Sequence, residues 1–308
     1  MSKFPVLPCA VLINPLVYAS QGLRGAVIPC DKTQGTVVRT AKELRQHYEI
    51  EKELGNRLRN SRRDERAGMY SQVYDELFRR VPQHPQWTNQ NTAGRELRLQ
   101  GHVRLLRPYL TPETVFMEVG AGDGALALRI AQLVRKAYAL EVSEELTRGL
   151  ENSEKFQVLI SRNCEVPLPD NTIDLAYSFQ VIEHIHPDDV IEQLKDIYRV
   201  LKPGGRYYCI TPNRLYGPSD ISRDFDREAT GLHLKEYSIT DLLKLFRSIG
   251  FRRVWIERMI KGHRCSMPIL PIRGLESALE RLPWSLRTTL SRSYLMTRLL
   301  NASVMGQK

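Results

Sequence analysis

Short apolar runs alternate with amphipathic segments through the middle of the chain. From Val115 onward, six runs are apolar and bounded by turn residues, which predicts strands at VFMEVG, KAYALEVS, FQVLISRN, TIDLAYSF, GRYYCITPN and FRRVWIERM. Between the fourth and fifth runs, residues at helical spacing form one apolar stripe: Ile191, Leu194, Ile197 and Leu201. A second helix is predicted from Ser238 to Ile249. Strands that alternate with helices indicate an α/β fold, a doubly wound and mostly parallel sheet with helices on both faces.

Helical extensions flank this core. From about Thr40 to Arg80 the composition and spacing predict two or three helices before the sheet. After Met259, leucines at 275, 279, 282, 286 and 290 predict two helices interrupted at Pro283, ahead of a strand near Ala302 to Met305. We therefore predict an irregular and helical N-terminal extension (1–92), a core (93–260) and a basic helical C-terminal insertion (261–308), which a last core strand would close.

An apolar strand runs directly into alternate glycines and then a helix in VFMEVGAGDGALALRI. Gly120, Gly122 and Gly124 allow a tight turn and let a ligand approach without obstruction by Cβ atoms. The start of the helix also offers free N–H groups to a carboxylate. GAGDGA satisfies the dinucleotide fingerprint as well, with Ala125 at its third position. The turn alone therefore leaves NAD and other nucleoside cofactors open.

Two carboxylates next to the turn narrow this choice. Glu118 lies two residues before Gly120, where its charge suits a cationic amino or sulfonium group and would repel a pyrophosphate. Glu141 ends the next strand, where its carboxylate can accept hydrogen bonds from both hydroxyls of a ribose. Glu141 supports nucleoside binding in general, whereas Glu118 favours a cationic cofactor.

The segments after the turn occur in a characteristic order: NCEVPLPDNTIDLAYSFQVIEHI, VLKPGG, TPN and HLKEYSITDLLKLFRSIGF. Together with the glycine turn, they resemble the class I S-adenosylmethionine-dependent methyltransferase family over roughly Val115 to Phe251. The resemblance implies a Rossmann-like sheet, an enzyme that transfers methyl groups, and S-adenosyl-L-methionine as its cofactor. The cofactor-binding residues that it implies are Glu118, Gly120, Ala121, Gly122, Asp123, Gly124, Glu141, Val142, Asn163, Cys164, Ser178 and Phe179.

The same resemblance suggests what these residues do. The residues from Glu118 to Gly124 form the methionine-side pocket, and Glu141 binds the ribose. Asn163 stands where family members commonly carry an acidic residue beside the adenine, and its side-chain oxygen can still accept from the adenine amino group. Cys164 or its backbone N–H would reach the ring. Ser178 to Gln180 would line the boundary between cofactor and acceptor, since ligands lie at the carboxyl ends of such strands.

Methyl transfer to a hydroxyl also needs a group that takes the proton. His184 and His233 are the candidate catalytic residues, because an imidazole titrates near neutral pH. His186 is a weaker candidate. Each has a structural alternative, since His184 and His186 precede a helix and can bond to the backbone, and His233 can anchor the loop that contains it.

The acceptor is predicted from the parts outside the common core. The polar loop from Pro212 to His233 suits a hydroxylated small molecule, although a solvated connector explains it equally well. We expect methylation of a small-molecule, sugar or lipid-linked acceptor, at oxygen as the first choice and at nitrogen as the second. An RNA methyltransferase and a non-catalytic, cofactor-binding regulatory module remain the alternatives.

Charge bears on the partners. The net charge is +10, and the segment from Arg252 to Lys308 has eleven basic and three acidic residues, a net of +8. The arginines are separated and no recognised RNA-binding module is present, so RNA ranks below a small molecule, and no DNA partner is expected. Leucines, arginines and Trp284 between Arg273 and Leu300 fit an interfacial helix on an anionic membrane. An amphipathic cap packed on the sheet is the favoured alternative.

Cysteine usage and hydropathy set the compartment. The five cysteines form no CxxC pair and no cluster with histidine at zinc spacing, so neither a disulfide framework nor a metal site is predicted: Cys9, Cys30, Cys164, Cys209 and Cys265. No run reaches the roughly 20 apolar residues that span a bilayer. We expect a cytoplasmic protein, with peripheral membrane contact as an option.

Overall fold

The computed structural model describes residues 39–84, 93–162, 164–260 and 263–308. In these ranges, eight strands form one sheet in the order β3-β2-β1-β4-β5-β8-β6-β7. The strands are β1 Val115–Val119, β2 Lys136–Glu141, β3 Phe156–Ile160, β4 Ile173–Phe179, β5 Leu201–Thr211, β6 Arg253–Ile260, β7 His263–Met267 and β8 Ala302–Gln307.

Strands β1 to β5 are parallel, and β8 lies antiparallel between β5 and β6. All five residues of β1 are buried, as expected of a strand covered on both faces. The order of the strands changes direction at β1, with β2 and β3 on one side of it and β4 and β5 on the other. The carboxyl ends of β1, β2 and β4 share one edge of the sheet. Ligands bind at such an edge in doubly wound sheets.

Helices cover both faces of the sheet, which confirms the predicted fold class. They are α1 Ala41–Arg59, α2 Arg63–Arg66, α3 Met69–Arg80, α4 Ala93–Leu106, α5 Ala125–Ala131, α6 Pro187–Val200, α7 Ile239–Ile249, α8 Ile269–Glu280, α9 Trp284–Ser291 and α10 Tyr294–Leu300. Side chains of α1, α3, α6 and α7 share one hydrophobic core, and those of α4 and α5 pack in the core of the opposite face.

The helix ends follow local chemistry. At α7, the Ser238 hydroxyl accepts from the Asp241 N–H at 3.1 Å, and the Asp241 carboxylate accepts from the Ser238 N–H at 2.9 Å. Such a reciprocal cap satisfies two N–H groups that a helix leaves free. Gly250, with φ of 112°, ends α7 in the left-handed conformation that the sequence predicted for a glycine stop.

The C-terminal region differs from the prediction in two ways. Strand β7 was missed because HRCSM is polar, and it pairs only with β6 at the edge of the sheet, where it needs no apolar face. The leucine-rich segment forms three helices rather than two, since α9 ends at Ser291 and Ser293 begins α10. The predicted final strand is present as β8.

The helices α8 to α10 are joined to the core by buried polar groups. Glu276 of α8 is 1% exposed and accepts from the backbone N–H groups of Ile239 and Thr240 at 2.8 and 2.9 Å. A side chain of α8 therefore caps the first turn of α7. Within the described residues, each helix is too short or too polar to cross a bilayer.

Candidate active site

The glycine turn joins β1 to α5 at the carboxyl edge of the sheet. Gly120, Gly122 and Gly124 have φ of 68°, 55° and 66°, a conformation that disfavours residues with a Cβ. A Cβ on Gly120 would lie 2.4 Å from Val181, and one on Gly124 would lie 2.7 Å from Leu150. A Cβ on Gly122 would meet no atom within 4 Å. Two glycines thus allow close packing of the chain, and Gly122 faces open space where a ligand can approach.

The Glu141 carboxylate is fixed directly beside Gly122. It accepts from the backbone N–H groups of Gly122 and Val142 at 2.7 and 2.8 Å, and from that of Ser143 at 3.2 Å. Burial raises the pKa of Glu141, while these three donors partly offset that effect. The turn and the end of β2 are thereby locked together, with Glu141 in the position expected for a ribose-binding group.

Glu118 lies under the turn, and its carboxyl accepts from the Ala127 N–H at 2.9 Å. The group is 8% exposed, and burial raises its pKa to about 8. A cationic group nearby would stabilise its ionised form. The residues present therefore fit a cofactor with a cationic end: an open cradle at Gly122, a fixed carboxylate at Glu141 and an uncompensated buried carboxyl at Glu118.

The other predicted cofactor residues have varied surroundings. Asp123 pairs with Arg95 and accepts from the Ala125 N–H at 3.2 Å, so its side chain serves the start of α5. The Ser178 hydroxyl is buried against that of Tyr207 at 2.7 Å. Phe179 packs edge-on against His102. The side chains of Asp123, Ser178 and Phe179 therefore contact other protein groups around the site.

Three predicted positions remain. Ala121 is buried, and its N–H donates to the Leu140 carbonyl at 3.0 Å. Cys164 is buried, with φ of 58°, and burial raises the pKa of its thiol to about 12. Asn163 lies outside the described residues.

The two candidate catalytic histidines lie together beyond the end of β4. Their ring centroids are 4.7 Å apart in an edge-to-face arrangement. His184 Nδ1 donates to the Leu232 carbonyl at 3.1 Å, and His233 Nδ1 donates to the Glu236 carboxylate at 2.8 Å. The contact of Val181 with Gly120 places the short helical turn that contains His184 against the glycine turn.

The two histidines have opposite charge states. Burial, reinforced by the positive charge of His233, lowers the pKa of His184 to about 3. Burial also opposes the charge of His233, but the hydrogen bond to Glu236 and the negative charges of Glu236, Asp220 and Glu183 together outweigh it and raise the pKa of His233 to about 9. At neutral pH, His184 is therefore neutral and His233 is protonated. Because a carbonyl can only accept, the proton of His184 is on Nδ1, which leaves Nε2 as its basic nitrogen.

Glu183 completes this group and was missed by the sequence analysis. It is fully buried, and its Oε2 accepts from the Thr211 hydroxyl at 2.8 Å. Its Oε1 has no hydrogen-bond partner among the described residues, and burial raises its pKa to about 7. Buried carboxyls without full hydrogen bonding are costly, which marks this one as a functional candidate. The signal in the sequence that could have found Glu183 is its position directly before the candidate base His184.

The wall opposite the sheet is formed by α1 and α3, from the N-terminal extension. Tyr74 of α3 lies edge-on to His184, with ring centroids 6.2 Å apart. Ser143, which follows β2, donates to Asp75 of α3 at 2.8 Å. Burial raises the pKa of Tyr74 well above its ordinary value, and Glu141 and Glu183 add to this. Through Tyr74 and its neighbour Asp75, α3 therefore contacts both His184 and the residue that follows the end of β2.

Arg59 of α1 holds the loop that contains His233. Its guanidinium donates to the carbonyls of Thr230, Gly231 and His233 at 3.0, 2.7 and 2.9 Å. The approach is close because Gly55 has no side chain, and a Cβ there would lie 2.2 Å from the Gly231 oxygen. The loop is thus a fixed part of the site and not a solvated connector in this stretch.

His186 and a tyrosine of the 212–233 loop have structural roles. His186 precedes α6, and its ring accepts from the Asp188 N–H at 3.3 Å, which is the backbone role weighed for it. Tyr216 donates to the Thr297 carbonyl of α10 at 3.0 Å. Both side chains are therefore engaged in the scaffold.

Two groups of the described residues bring three ligand-type atoms within 4.8 Å of one another: His47, Glu51 and His84, and Glu183, His184 and His233. In the first, Arg39 donates to His47 Nδ1 at 2.6 Å, so His47 Nε2 has the proton and donates to Glu51 at 2.7 Å. A protonated nitrogen cannot ligate a metal. In the second, the cationic His233 disfavours a further cation.

The core of the chain is similar to class I S-adenosylmethionine-dependent methyltransferases, and the residues present at the carboxyl edge of the sheet fit S-adenosylmethionine. Residues 117–209 match the model of a family described as methyltransferase domain. This match confirms the predicted resemblance over the core, and the names of the relatives indicate S-adenosylmethionine as the cofactor.

Individual curated relatives and solved structures are similar to parts of the chain. The chain is 30% identical over 136 residues to a probable S-adenosylmethionine-dependent methyltransferase of Mycolicibacterium smegmatis, covering 44% of this chain and 51% of that one. It is 26% identical over 129 residues to a sterol 4-C-methyltransferase of Caenorhabditis elegans, covering 40% of this chain and 37% of that one. A solved S-adenosylmethionine-dependent methyltransferase of Archaeoglobus fulgidus is 19% identical and superposes with a TM-score of 0.45, covering 70% of this chain and 94% of that one. The chain spans about half the length of the first curated relatives that it matches.

Proposed function

We propose that this chain transfers a methyl group from S-adenosylmethionine to a hydroxyl oxygen of a small-molecule, sugar or lipid-linked acceptor. The observation that carries the proposal is the state of His184. This imidazole is held neutral beside the cofactor turn, with Nδ1 committed to a carbonyl and Nε2 left basic. A hydroxyl must lose a proton when it is methylated; the free lone pair of Nε2 can accept the hydrogen bond of that hydroxyl, and the neighbouring Glu183, with a pKa of about 7, can hold the proton.

The cofactor residues have a limited task. Glu141 would hold the ribose, Glu118 the cationic end, and the backbone at Gly122 would allow close approach. When bound, S-adenosylmethionine supplies a methyl group that is already activated by a positively charged sulfur. What remains for the chain is to align the acceptor and to take its proton.

Three ionisable groups have different roles in the proton transfer: His184, Glu183 and His233. His184 Nε2 accepts the hydrogen bond of the acceptor hydroxyl and thereby orients it. His184 and Glu183 have ligand-type atoms within 4.8 Å of each other, and the proton is more stable on Glu183, because its pKa is about 7 against about 3 for His184. His233 stays protonated against Glu236, and its charge keeps His184 neutral. In this proposal His233 is a positioning residue and not the base.

The surroundings favour an acceptor that combines a hydroxyl with an apolar body. Tyr74 borders His184, and its ring offers a largely hydrophobic surface. The sterol 4-C-methyltransferase among the relatives is named for an apolar acceptor, which supports lipid-like molecules. It is also named for methylation at carbon, so the atom that receives the methyl group is the sharpest test.

The test uses the full chain with isotopically labelled S-adenosylmethionine and an extract of the cells that produce the protein. We expect label in an extractable small molecule or lipid, with NMR placing the methyl group on oxygen. Label on carbon or nitrogen would overturn oxygen transfer, label in RNA would favour an RNA methyltransferase, and cofactor binding without turnover would favour a regulatory module.

A pair of variants tests the role of His184. His184→Asn should lower kcat by about 10²-fold or more, the usual contribution of a positioned proton acceptor, with the affinity for S-adenosylmethionine unchanged. His186→Asn is the matched control, since His186 lies two residues away and caps a helix, and its kcat should stay close to that of the original chain. Equal kcat in both variants would refute the assignment.

A further inference from the structure

The C-terminal helices α9 and α10 present their apolar side chains to solvent. Seven large hydrophobic side chains of the described residues are well exposed, and five of them lie between residues 270 and 295. Four fall within ten residues and are named here the leucine strip: Leu286 (47% exposed), Leu290 (40%), Tyr294 (55%) and Leu295 (60%). Single exposed leucines are common on proteins, but a concentration of them marks an interaction surface.

The orientation of α9 is the reverse of that of a helix that only covers a core. Its buried residues are Thr288 and Ser291, while Leu286 and Leu290, one turn apart, face outward. A packed cap would bury the leucines and expose the hydroxyls. The amphipathic cap favoured from the sequence therefore does not account for this helix.

The inner contacts fix this orientation. The Arg292 guanidinium, between α9 and α10, donates to the carbonyls of Tyr216 and Gly217 at 2.9 and 3.3 Å. The Trp284 indole N–H donates to the Arg227 carbonyl at 3.1 Å. These bonds hold both helices against the 212–233 loop, so the leucine strip cannot turn inward without breaking them.

The charge of the same segment has one sign. From residue 281 to the last residue printed, the sequence contains no Asp or Glu, and it contains five basic residues: Arg281, Arg287, Arg292, Arg298 and Lys308. The Arg298 guanidinium lies over the Tyr294 ring, 4.4 Å from its centroid. The strip therefore lies in a basic setting.

We propose that the leucine strip docks on the surface of an anionic lipid bilayer. Such a surface supplies hydrocarbon for the leucines and negative headgroups for the arginines, and Tyr294 suits the boundary between them. A second copy of this chain would bring the same positive charge to the interface. Residues 1–38 contain three basic residues and one acidic residue, so their charge also repels the strip. An RNA would match the charge but leave the leucines without a function.

Docking would bring the loop of the proposed acceptor site to the bilayer. Arg292 and Trp284 hold the loop from one side, and Arg59 holds its His233 end from the other. This consequence rests on the proposed function, whereas the docking surface itself does not.

The test measures binding of the full chain to vesicles, with no cofactor or acceptor present. We expect sedimentation with vesicles in which about a third of the lipid is phosphatidylglycerol, weaker binding to phosphatidylcholine alone, and release by salt, since surface attraction is screened. The double variant Leu290→Glu/Leu295→Glu should bind at least about tenfold more weakly. Arg281→Gln should weaken binding to the anionic vesicles by up to about fivefold.

A matched control uses the two exposed leucines on helices outside the C-terminal region. Leu97 of α4 and Leu128 of α5 are 40% and 37% exposed, and Leu97→Glu/Leu128→Glu should bind vesicles like the original chain. Equal loss in both double variants, or no binding by the original chain, would overturn the proposal. A dimer that the strip variant dissociates would assign the strip to a second copy. None of these results depends on methyl transfer, so they are distinguishable from failure of the proposed function.

Discussion

The open space beside Gly122 determines what a substitution there changes. Gly122→Ala places a methyl group in the open space where the cofactor would approach, with no protein atom within 4 Å. The left-handed conformation costs an alanine roughly 1 kcal/mol, so the fold should survive. We expect the affinity for S-adenosylmethionine to fall at least about tenfold in calorimetry, because the backbone can no longer be approached closely.

Gly204→Ala is the control for this substitution. Gly204 has a comparable φ of 80°, and a Cβ there would be 3.9 Å from the nearest side-chain atom. It lies near the start of β5, at the edge of the sheet opposite to the site. Its variant should share the stability cost but bind cofactor normally. Equal loss of affinity in the two variants would mean that backbone strain alone explains the effect of Gly122→Ala.

Glu118 should make cofactor binding release a proton. With a pKa of about 8, this carboxyl is mostly protonated at pH 7 in the free chain, and a cationic cofactor favours its ionised form. Calorimetry at pH 7 in buffers of different ionisation enthalpy should report release of about one proton. Glu118→Gln should bind more weakly and release none. Unchanged proton release in that variant would contradict the role given to Glu118.

At the scale of elements, the contact between α1 and the 229–233 loop depends on Gly55. Gly55→Ala would place a Cβ 2.2 Å from a backbone oxygen, so the loop and its His233 must move. The free energy of unfolding should fall by about 1 kcal/mol or more despite the better helix propensity of alanine, and turnover should fall with it. Denaturant unfolding and kcat are the measurements.

Gly274→Ala provides the matched helix substitution. Gly274 is also inside a helix, α8, and a Cβ there meets nothing within 4 Å. It should stabilise the chain by up to about 1 kcal/mol, because alanine is the better helix former. If both variants were stabilised, the close packing of α1 on the loop would be wrong.

Elements were predictable where local chemistry decides them. The alternation of apolar runs gave the order of β1 to β6, and Ser238 and Gly250 gave both ends of α7. The N-terminal extension was predicted as helices but not as a wall of the site, because the Arg59 and Gly55 contacts join residues about 170 positions apart. Glu183 was missed for a related reason, since its burial depends on the loop that packs over it.

For the molecule as a whole, stability should fall as the pH rises from 6.5 to 9. Folding raises the pKa of Glu118 from 4.5 to about 8, of Glu183 from 4.5 to about 7 and of His233 from 6.5 to about 9. Each group binds its proton more tightly in the folded chain, so the stability that it contributes at low pH is lost as the pH passes its folded pKa. His184, with a folded pKa of about 3 and an ordinary value of 6.5, acts in the opposite direction, but above pH 6.5 this gain amounts to only a few tenths of a kcal/mol because its unfolded form is already half deprotonated.

Urea unfolding at pH 6.5 and pH 9 measures this effect. We expect a decrease on the order of a few kcal/mol in the free energy of unfolding, and a smaller decrease in Glu118→Gln, which lacks one of the three groups. Equal or greater stability at pH 9 would show that these side chains are not buried as described.

The cap that Glu276 places on α7 limits how far this protein can be treated as modular. Exchanging α8 to α10 with those of a relative, in order to change the acceptor, would remove the only carboxylate that meets the N–H groups of Ile239 and Thr240 among the described residues. A chimera would therefore need an acidic residue at the same place, or α7 would begin with buried donors that have no acceptor. Substitutions in α8 and at the start of α7 therefore have to be made together.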